Sequence, residues 1–317
     1  MASSKWRRNC ASGFLAGLVL LCFLPPLAAA QQQASGFAVE RLYQSAPGGG
    51  WFVMDDLDIS GKLGGAVSVT SGYAHNPLVI ASPDGKQWLA AVSQQAFVDI
   101  GGAVTYSRFR GYFNIPTPIL GTGTSGTLGP YQFTAPSVSL GTNPDTVSDS
   151  RLGVDVCLSG QPQSLLRLGA GAQVIIPSGI RPDYVTDARY RGMFRFLAAG
   201  DAGAFTYAGQ AGIHVRPLNE APAPGGPNGN EFLYGISGGR RFAVFSGWAA
   251  IVGPEIYGET AFASGETGTE ALLTGRLEGT GTERNLRLKL GIGHALVQNF
   301  GAPQWRIVFG VEMFGHK

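Results

Sequence analysis

The sequence predicts an all-β fold: a single antiparallel transmembrane β-barrel of 12 strands, with 14 strands as the alternative. Three observations predict it: strands in which apolar and polar side chains alternate, connections that alternate between short and long, and an export signal with no later apolar run. An exported protein that is embedded in a membrane without such a run has to pair its backbone groups between the strands of a closed barrel.

The first 30 residues have the features of a secretory signal peptide. Lys5, Arg7 and Arg8 precede an apolar stretch at 14–24, and small residues at 28–30 suit cleavage. The apolar stretch is shorter than the ~20 residues that a spanning helix needs, which argues against an uncleaved anchor. We therefore expect export through the inner membrane, removal of this peptide and a final location in the cell outer membrane.

Charge and cysteine content limit the possible functions. Cleavage leaves 20 basic and 21 acidic residues, so the mature chain has no basic character to suggest a nucleic-acid partner. Of the three cysteines, only Cys157 lies beyond the signal peptide. This excludes an intrachain disulfide and a cysteine-ligated metal centre.

Residues 31–62 form a lead-in segment with a mixed pattern. A short apolar stretch at 37–43 is interrupted by Pro47 and the glycines that follow it, and Asp55, Asp56 and Asp58 then form an acidic cluster. We interpret the segment as periplasmic or packed in the lumen; a strand pair here would raise the count to 14. The cluster could bind calcium through its carboxylates, but a solvated turn is the better interpretation.

The barrel domain is predicted over residues 63–317, and its final hairpin has the clearest pattern. Leu286, Leu288 and Leu290 share one face of a strand, whereas Arg287 and Lys289 share the other. The predicted strands cover residues 63–75, 87–105, 109–120, 151–158, 166–174, the region of 194–196, 205–216, 231–239, 242–262, 270–279, 286–293 and 305–314.

The connections between these strands alternate in length. Turns near residues 107, 161, 201, 240 and 282 are short, and those near 81, 134, 184, 224, 266 and 300 are mostly longer. Bacterial outer-membrane barrels have tight periplasmic turns and long external loops. A soluble sandwich has no reason to keep this asymmetry, and an even strand number returns the C-terminus to the periplasmic side.

The strand faces opposite the apolar ones carry charged side chains. A charge on the lipid face costs about 2–4 kcal/mol at the membrane midplane, so these residues are predicted to line the lumen. They are Arg151, Asp155, Arg167, Arg195, Arg216, Arg276, Glu278, Arg287, Lys289, Arg306 and Glu312. Two interpretations stay open: a structural network of ion pairs that closes a narrow barrel, or a water-filled path whose excess of arginine favours anions.

Motifs of enzymes and cofactor sites lack their structural context. The glycine pattern at 121–126 is followed by Gly129 and Pro130 rather than a helix, and the serine pattern at 235–239 is followed by a strand. The histidines show no metal-ligand spacing and suit hydrogen bonding: His75, His214, His294 and His316. We predict no catalytic residue, no cofactor, no metal and no enzyme activity.

Four stretches carry a resemblance to a known family: FAVERLY at 37–43, WFVMDDLD at 51–58, GYAHNPL at 72–78 and VEMF at 311–314. With them, residues 35–316 resemble the N-terminal β-barrel region of OmpA-family outer-membrane proteins of myxobacteria-like Gram-negative bacteria. The resemblance implies an outer-membrane location and no particular activity. Many relatives continue into a peptidoglycan-binding domain; this sequence ends without it, so the resemblance does not extend to cell-wall anchoring.

The sequence thus predicts an integral outer-membrane barrel that is either a passive pore for small solutes or a structural scaffold with surface loops. Its expected partners are outer-membrane lipid, lipopolysaccharide and the barrel-assembly machinery, with no nucleic acid and no identifiable protein partner. One alternative is an outer-membrane enzyme of the lipid-hydrolase type, which needs a nucleophile beside a histidine at the external rim. The other is a secreted ligand-binding β-sandwich, which would bury its apolar strand faces beneath a second sheet.

Overall fold

The computed structural model describes residues 32–59, 61, 63–82, 84–140, 147–218, 228–279 and 285–316. The predicted signal peptide and the predicted turn near residue 282 lie outside these residues. From Gln33 onward the chain forms one compact unit. Its described elements are strands, apart from a short 3-10 helix at Arg181–Asp183. None of the described residues belongs to a helix that is long and apolar enough to cross a membrane.

Twelve strands form the wall of a closed antiparallel barrel. In chain order they are β1 (Gly64–Ala81), β2 (Trp88–Tyr106), β3 (Phe109–Thr122), β4 (Ser150–Ser159), β5 (Arg167–Ile176), β6 (Arg191–Ala202), β7 (Phe205–Val215), β8 (Glu231–Phe245), β9 (Trp248–Ala261), β10 (Thr267–Gly279), β11 (Leu286–Val297) and β12 (Trp305–His316). Each strand pairs with the next, and β12 pairs with β1 from Trp305↔His75 to His316↔Gly64. The 12-strand prediction is confirmed, and the alternative count of 14 is wrong.

One predicted turn is misplaced. The sequence suggested a turn at Arg240 and Arg241, but β8 continues through both residues, which pair with Val252 and Ile251 of β9. The chain reverses later, at Gly247, whose φ of 78° lies in the left-handed region that glycine adopts without strain. Two adjacent charges did not end the strand because both lie near the end of the barrel, where their side chains are exposed.

The outer face of the barrel is apolar and uncovered. Leu290 is 49 %, Ile292 58 % and Phe309 47 % exposed, whereas Lys289, on the opposite face, is 4 % exposed. The described residues contain one further sheet, made of three strands of two or three residues each, and it leaves these side chains exposed, which contradicts the sandwich alternative. A continuous apolar belt of this kind suits contact with lipid acyl chains.

Residues 33–59, called the luminal segment below, run through the interior of the barrel. Trp51, Phe52, Met54 and Leu57 are at most 1 % exposed and form one apolar cluster with inward-facing residues of the wall. Of the two placements considered for the lead-in, the structure has the lumen-packed one. A hairpin of two short strands, Gly126–Leu128 and Tyr131–Phe133, lies in the long connection between β3 and β4.

Candidate functional site

The luminal segment runs from the barrel end with the long loops to the end with the short turns. Near its start, Ala34 N–H donates to the carbonyl of Gln132 at 2.8 Å, and Val39 N–H donates to the carbonyl of Tyr184 at 3.0 Å. Both acceptors belong to long loops. Gly48 lies beside Ala66 at the opposite end, where β1 begins. The chain therefore crosses the lumen before it forms the first strand of the wall.

Ion pairs hold the luminal segment in the half of the lumen near the long loops. The Nη1 atom of Arg41 lies 2.8 Å from Glu231 Oε2 and 2.6 Å from Glu259 Oε2. Its sequence neighbour Glu40 accepts a hydrogen bond from Arg306 Nη1 at 2.8 Å. Glu40 and Arg41 are adjacent in sequence, and each pairs with wall residues of the opposite charge: Glu40 with Arg306 of β12, and Arg41 with glutamates of β8 and β9.

Asp187 connects the long loop before β6 to the start of the luminal segment. Its carboxylate accepts a hydrogen bond from Ala38 N–H at 2.9 Å, and it pairs with Arg216 and, at 3.5 Å, with Arg191. Burial alone would raise the pKa of the Asp187 carboxyl, but the two arginines outweigh this effect and hold the pKa well below its usual value. Asp187 therefore stays ionised and serves as a fixed acceptor.

Glu255 of β9 satisfies the backbone at the centre of the lumen. Its carboxylate accepts hydrogen bonds from the N–H groups of Phe52 at 3.0 Å, Val53 at 2.9 Å and Met54 at 3.4 Å, and from the Thr274 hydroxyl at 2.7 Å. Buried N–H groups outside a sheet need such partners, because leaving them unpaired costs free energy. One wall carboxylate thus replaces the sheet partner that this stretch lacks.

The acidic cluster of the lead-in is buried at the short-turn end of the lumen. Asp55 pairs with Arg110, which also lies 2.7 Å from Asp155. Asp56 lies 2.6 Å from Arg276 Nη1. The expectation of a solvated turn is wrong for these two aspartates, because each meets an arginine from a strand that is distant in sequence.

Glycines on the inner wall leave room for the large side chains of the luminal segment. A Cβ atom at Gly291 would lie 2.9 Å from the Phe52 ring, and one at Gly310 would lie 3.3 Å from the same ring. A Cβ atom at Gly239 would lie 2.7 Å from the Trp51 ring. Real Cβ atoms do not approach neighbours closer than about van der Waals contact, so the wall is shaped to the segment.

Two small cavities and one larger cavity border the luminal segment. A cavity of about 30 Å³ lies between Arg41, Val53 and Phe300, and another of about 50 Å³ lies beside Leu42 and Asp99. A volume of about 15 Å³ is enough for one water molecule, so each of these cavities holds only a few. A wider polar vestibule of about 460 Å³ opens at the short-turn end. Pro47, Gly48, Asp56 and Asp58 of the luminal segment line part of that vestibule.

The eleven residues predicted to line the lumen lie on the inner side of the barrel. Arg287 and Lys289 both contact Glu312 at 2.7 Å. The other predicted residues with a buried side chain are Arg151, Asp155, Arg167, Arg195, Arg216, Arg276 and Arg306, while Glu278, near the short turns, is 14 % exposed. In this conformation they form ion pairs with one another, with the luminal segment and with further wall residues.

Sequence reasoning missed several residues of the site. Alternation through β9 places Glu255 and Glu259 on the inner face together with Ile251, so the sequence pattern was sufficient to predict that both glutamates face the lumen. For Arg41 and Asp55 no comparable signal exists, because the luminal segment has no regular period. Their partners lie on strands that are distant in sequence, so only the three-dimensional structure identifies them.

Comparisons with known proteins support the fold. No protein-family model matches the sequence, and no curated protein matches it. The structure resembles an outer membrane channel from Pseudomonas putida F1, with a TM-score of 0.52 and 12 % identity, over 81 % of this chain and 96 % of that one.

The structure is less similar to the β domain of the Bordetella autotransporter BrkA, with a TM-score of 0.41 and 12 % identity over 80 % of this chain and 99 % of that one. It is also less similar to the CymD monoaromatic hydrocarbon channel, with a TM-score of 0.39 and 8 % identity over 82 % of this chain and 90 % of that one. At such identities a likeness concerns the fold alone. The closed sheet and the likeness to the Pseudomonas putida F1 channel show that this chain is a 12-stranded β-barrel of the outer-membrane type.

Proposed function

We propose that this protein is an outer-membrane channel for small solutes that its own luminal segment holds closed. The observation that carries the proposal is the fit between a wide wall and this segment. A barrel of about eight strands is just wide enough for its own side chains to fill, whereas larger barrels enclose cavities or channels. Here twelve strands form the wall, and residues from outside the sheet fill the interior. Displacing them opens a polar path.

The charge of the luminal segment supports a preference for anions in the open state. The segment contains four acidic residues and one basic residue. Asp55 and Asp56 pair with Arg110 and Arg276, so removal of the segment exposes positive charge on the wall. An excess of arginine along a water-filled path favours anions.

A permanently closed scaffold that displays its long loops is the second candidate. The buried ion pairs favour it, because removing one partner of such a pair typically costs about 3–5 kcal/mol. Arg41 and Asp55 both take part in pairs of this kind. The two candidates share the closed conformation and differ in whether the luminal segment ever leaves the lumen.

The proposal places the protein in the outer membrane after cleavage of residues 1–30. The apolar outer face supports lipid and lipopolysaccharide as its surroundings and the barrel-assembly machinery as the means of insertion. The resemblance to OmpA-family barrels stays a prediction. No enzyme activity is part of the proposal.

Conductance in planar lipid bilayers tests the proposal. We expect the full chain to be closed for most of the time, and a variant without residues 34–58 to conduct steadily with a reversal potential that indicates anion preference. Heat-modifiable gel mobility serves as the folding control for both proteins. A folded deletion variant that stays silent refutes the channel and favours the scaffold, and equal steady conductance of both proteins refutes closure by the luminal segment.

A further inference from the structure

Three inward-facing side chains form a cluster in the half of the lumen near the long loops. His214 of β7 and Glu231 of β8 are direct cross-strand partners, and Glu259 of β9 lies opposite Leu233, two residues farther along β8. All three are buried, and one ligand atom from each lies within 4.8 Å of the other two. The paired strands of the barrel hold these groups in place, so the cluster does not depend on a mobile loop.

Arg41 of the luminal segment supplies a positive charge to this cluster. Its Nη1 atom lies 2.8 Å from Glu231 Oε2 and 2.6 Å from Glu259 Oε2. The Nδ1 atom of His214 lies 3.0 Å from the same Glu231 oxygen and 3.1 Å from Glu259 Oε1. One cationic nitrogen therefore bridges two carboxylates that also flank an imidazole.

The hydrogen bonding of the cluster is incomplete. A neutral imidazole donates one hydrogen bond, although two carboxylates lie within reach of His214 Nδ1. Nε2 of His214 is buried without a hydrogen-bond partner among the described residues. A ring nitrogen without a proton has a lone pair that can bind a metal ion, and Nδ1 is the ring nitrogen that faces the two carboxylates.

Withdrawal of Arg41 leaves an imidazole and two carboxylates around the position of a cation. This is a combination of ligands that binds Zn²⁺, with water completing the coordination. A bound dication replaces the positive charge that Arg41 supplies to these two carboxylates and adds one more. Arg216 keeps a contact of 3.0 Å with Glu231 Oε1, which leaves Oε2 available.

We propose that His214, Glu231 and Glu259 form a binding site for a divalent transition-metal ion such as Zn²⁺, and that Arg41 and the metal ion compete for this site. The imidazole nitrogen favours a transition metal over Ca²⁺ or Mg²⁺, which prefer oxygen ligands. Because Arg41 anchors the luminal segment, bound metal destabilises the closed state, and opening in turn strengthens metal binding. This regulatory consequence rests on the proposed channel, whereas the metal site does not.

Calorimetric titration of Zn²⁺ into the full-length protein, purified in detergent without a histidine tag, tests the site. We expect Arg41→Ala to bind one Zn²⁺ at least tenfold more tightly than the wild type, and Arg41→Ala combined with His214→Gln to lose this binding. Arg195→Ala is the matched control, because it removes another buried lumen arginine while Asp155 keeps Arg110 as a partner. Its affinity for Zn²⁺ should stay within about twofold of the wild type.

Arg41→Lys separates competition by charge from a general loosening of the luminal segment, because it keeps the cation and should bind Zn²⁺ as weakly as the wild type. Heat-modifiable mobility verifies that each variant is folded. Equal affinities of the wild type and Arg41→Ala overturn the proposal, as does Zn²⁺ binding that persists without His214. If the protein binds Zn²⁺ but never conducts, the channel is refuted and the metal site stands. If the deletion variant conducts but does not bind Zn²⁺, only the metal site is refuted.

Discussion

Gly291 has no side chain, and this leaves room in the lumen for the Phe52 ring. An added Cβ atom would lie 2.9 Å from the Phe52 ring. Overpacking of this kind costs about 1–3 kcal/mol, so Gly291→Leu should displace the luminal segment and shorten its closed intervals in bilayer recordings. Gly111→Leu is the control, since nothing lies within 4 Å of a Cβ atom there. Identical closed intervals in the two variants would contradict the fit between wall and segment.

Glu255 is expected to contribute to closure through charge. Hydrogen bonds to an ionised group contribute about 1.5–3 kcal/mol, and its carboxylate accepts three from the luminal segment. Glu255→Gln should therefore raise the open probability severalfold while the barrel stays folded. Asp201→Asn is a suitable comparison, because Asp201 pairs with Arg167 and Arg241 of the barrel instead of the segment. A Glu255→Gln channel that remains as closed as Asp201→Asn would count against this role.

The lowered pKa of Asp187 predicts that acid loosens the start of the luminal segment. A carboxyl group whose pKa is lower in the folded state stabilises that state above its ordinary value of about 3.9, and this stabilisation is lost as the pH falls toward the lowered pKa. Hydrogen exchange of the amides near Ala38 should accelerate below about pH 4 relative to the rest of the barrel. In Asp187→Asn the exchange should already be faster at neutral pH and should respond less to acid.

At the level of the strand, β11 tests which side faces lipid. Leu290 is half exposed on the outer face, where arginine costs about 2–4 kcal/mol at the midplane, so Leu290→Arg should block assembly. Lys289→Ala should assemble, because Glu312 keeps Arg287 at 2.7 Å when the lysine contact is lost. The heat-modifiable band in outer-membrane fractions measures both. Comparable yields of the two variants would contradict the assignment of faces.

The strands were predictable because their alternation is local. The faces of β11 and β12 follow from side chains two residues apart, and this regularity holds over most of the wall. The end of β8 was not predictable from Arg240 and Arg241, because a turn depends on backbone conformation more than on charge. The luminal segment has neither the two-residue period of a strand nor the period of a helix. Its position depends on partners such as Glu255, which lies about two hundred residues away in the sequence.

At the scale of the whole molecule, the sequence determined the closed wall and the charged interior but left the state of the lumen open. Alternation predicts that Arg151 and Glu312 point inward, and both side chains are buried. Alternation contains no information about which charges meet, because pairing in three dimensions depends on the register of all twelve strands. Alternation therefore does not choose between an ion-pair network and a water-filled path, because that choice depends on the luminal segment.

The direction of the luminal segment predicts opposite accessibility of its two ends. Ser35 is exposed near the long loops, and Asp58 is exposed near the short turns, which are periplasmic in bacterial barrels. A membrane-impermeant maleimide should label Ser35→Cys on intact cells and should label Asp58→Cys only after the outer membrane is permeabilised. The reverse order of labelling would show that the segment runs the other way.

The path of the luminal segment also affects the timing of assembly. Its stabilising contacts join residues far apart in the chain: 203 positions separate Phe52 from Glu255, 238 separate Trp51 from Lys289, and 266 separate Glu40 from Arg306. This stabilisation is complete only when the last strands have been synthesised and have reached the first. Such long-range contacts slow folding. The residues that leave the ribosome first among the described ones are thus among the last to gain a fixed structure.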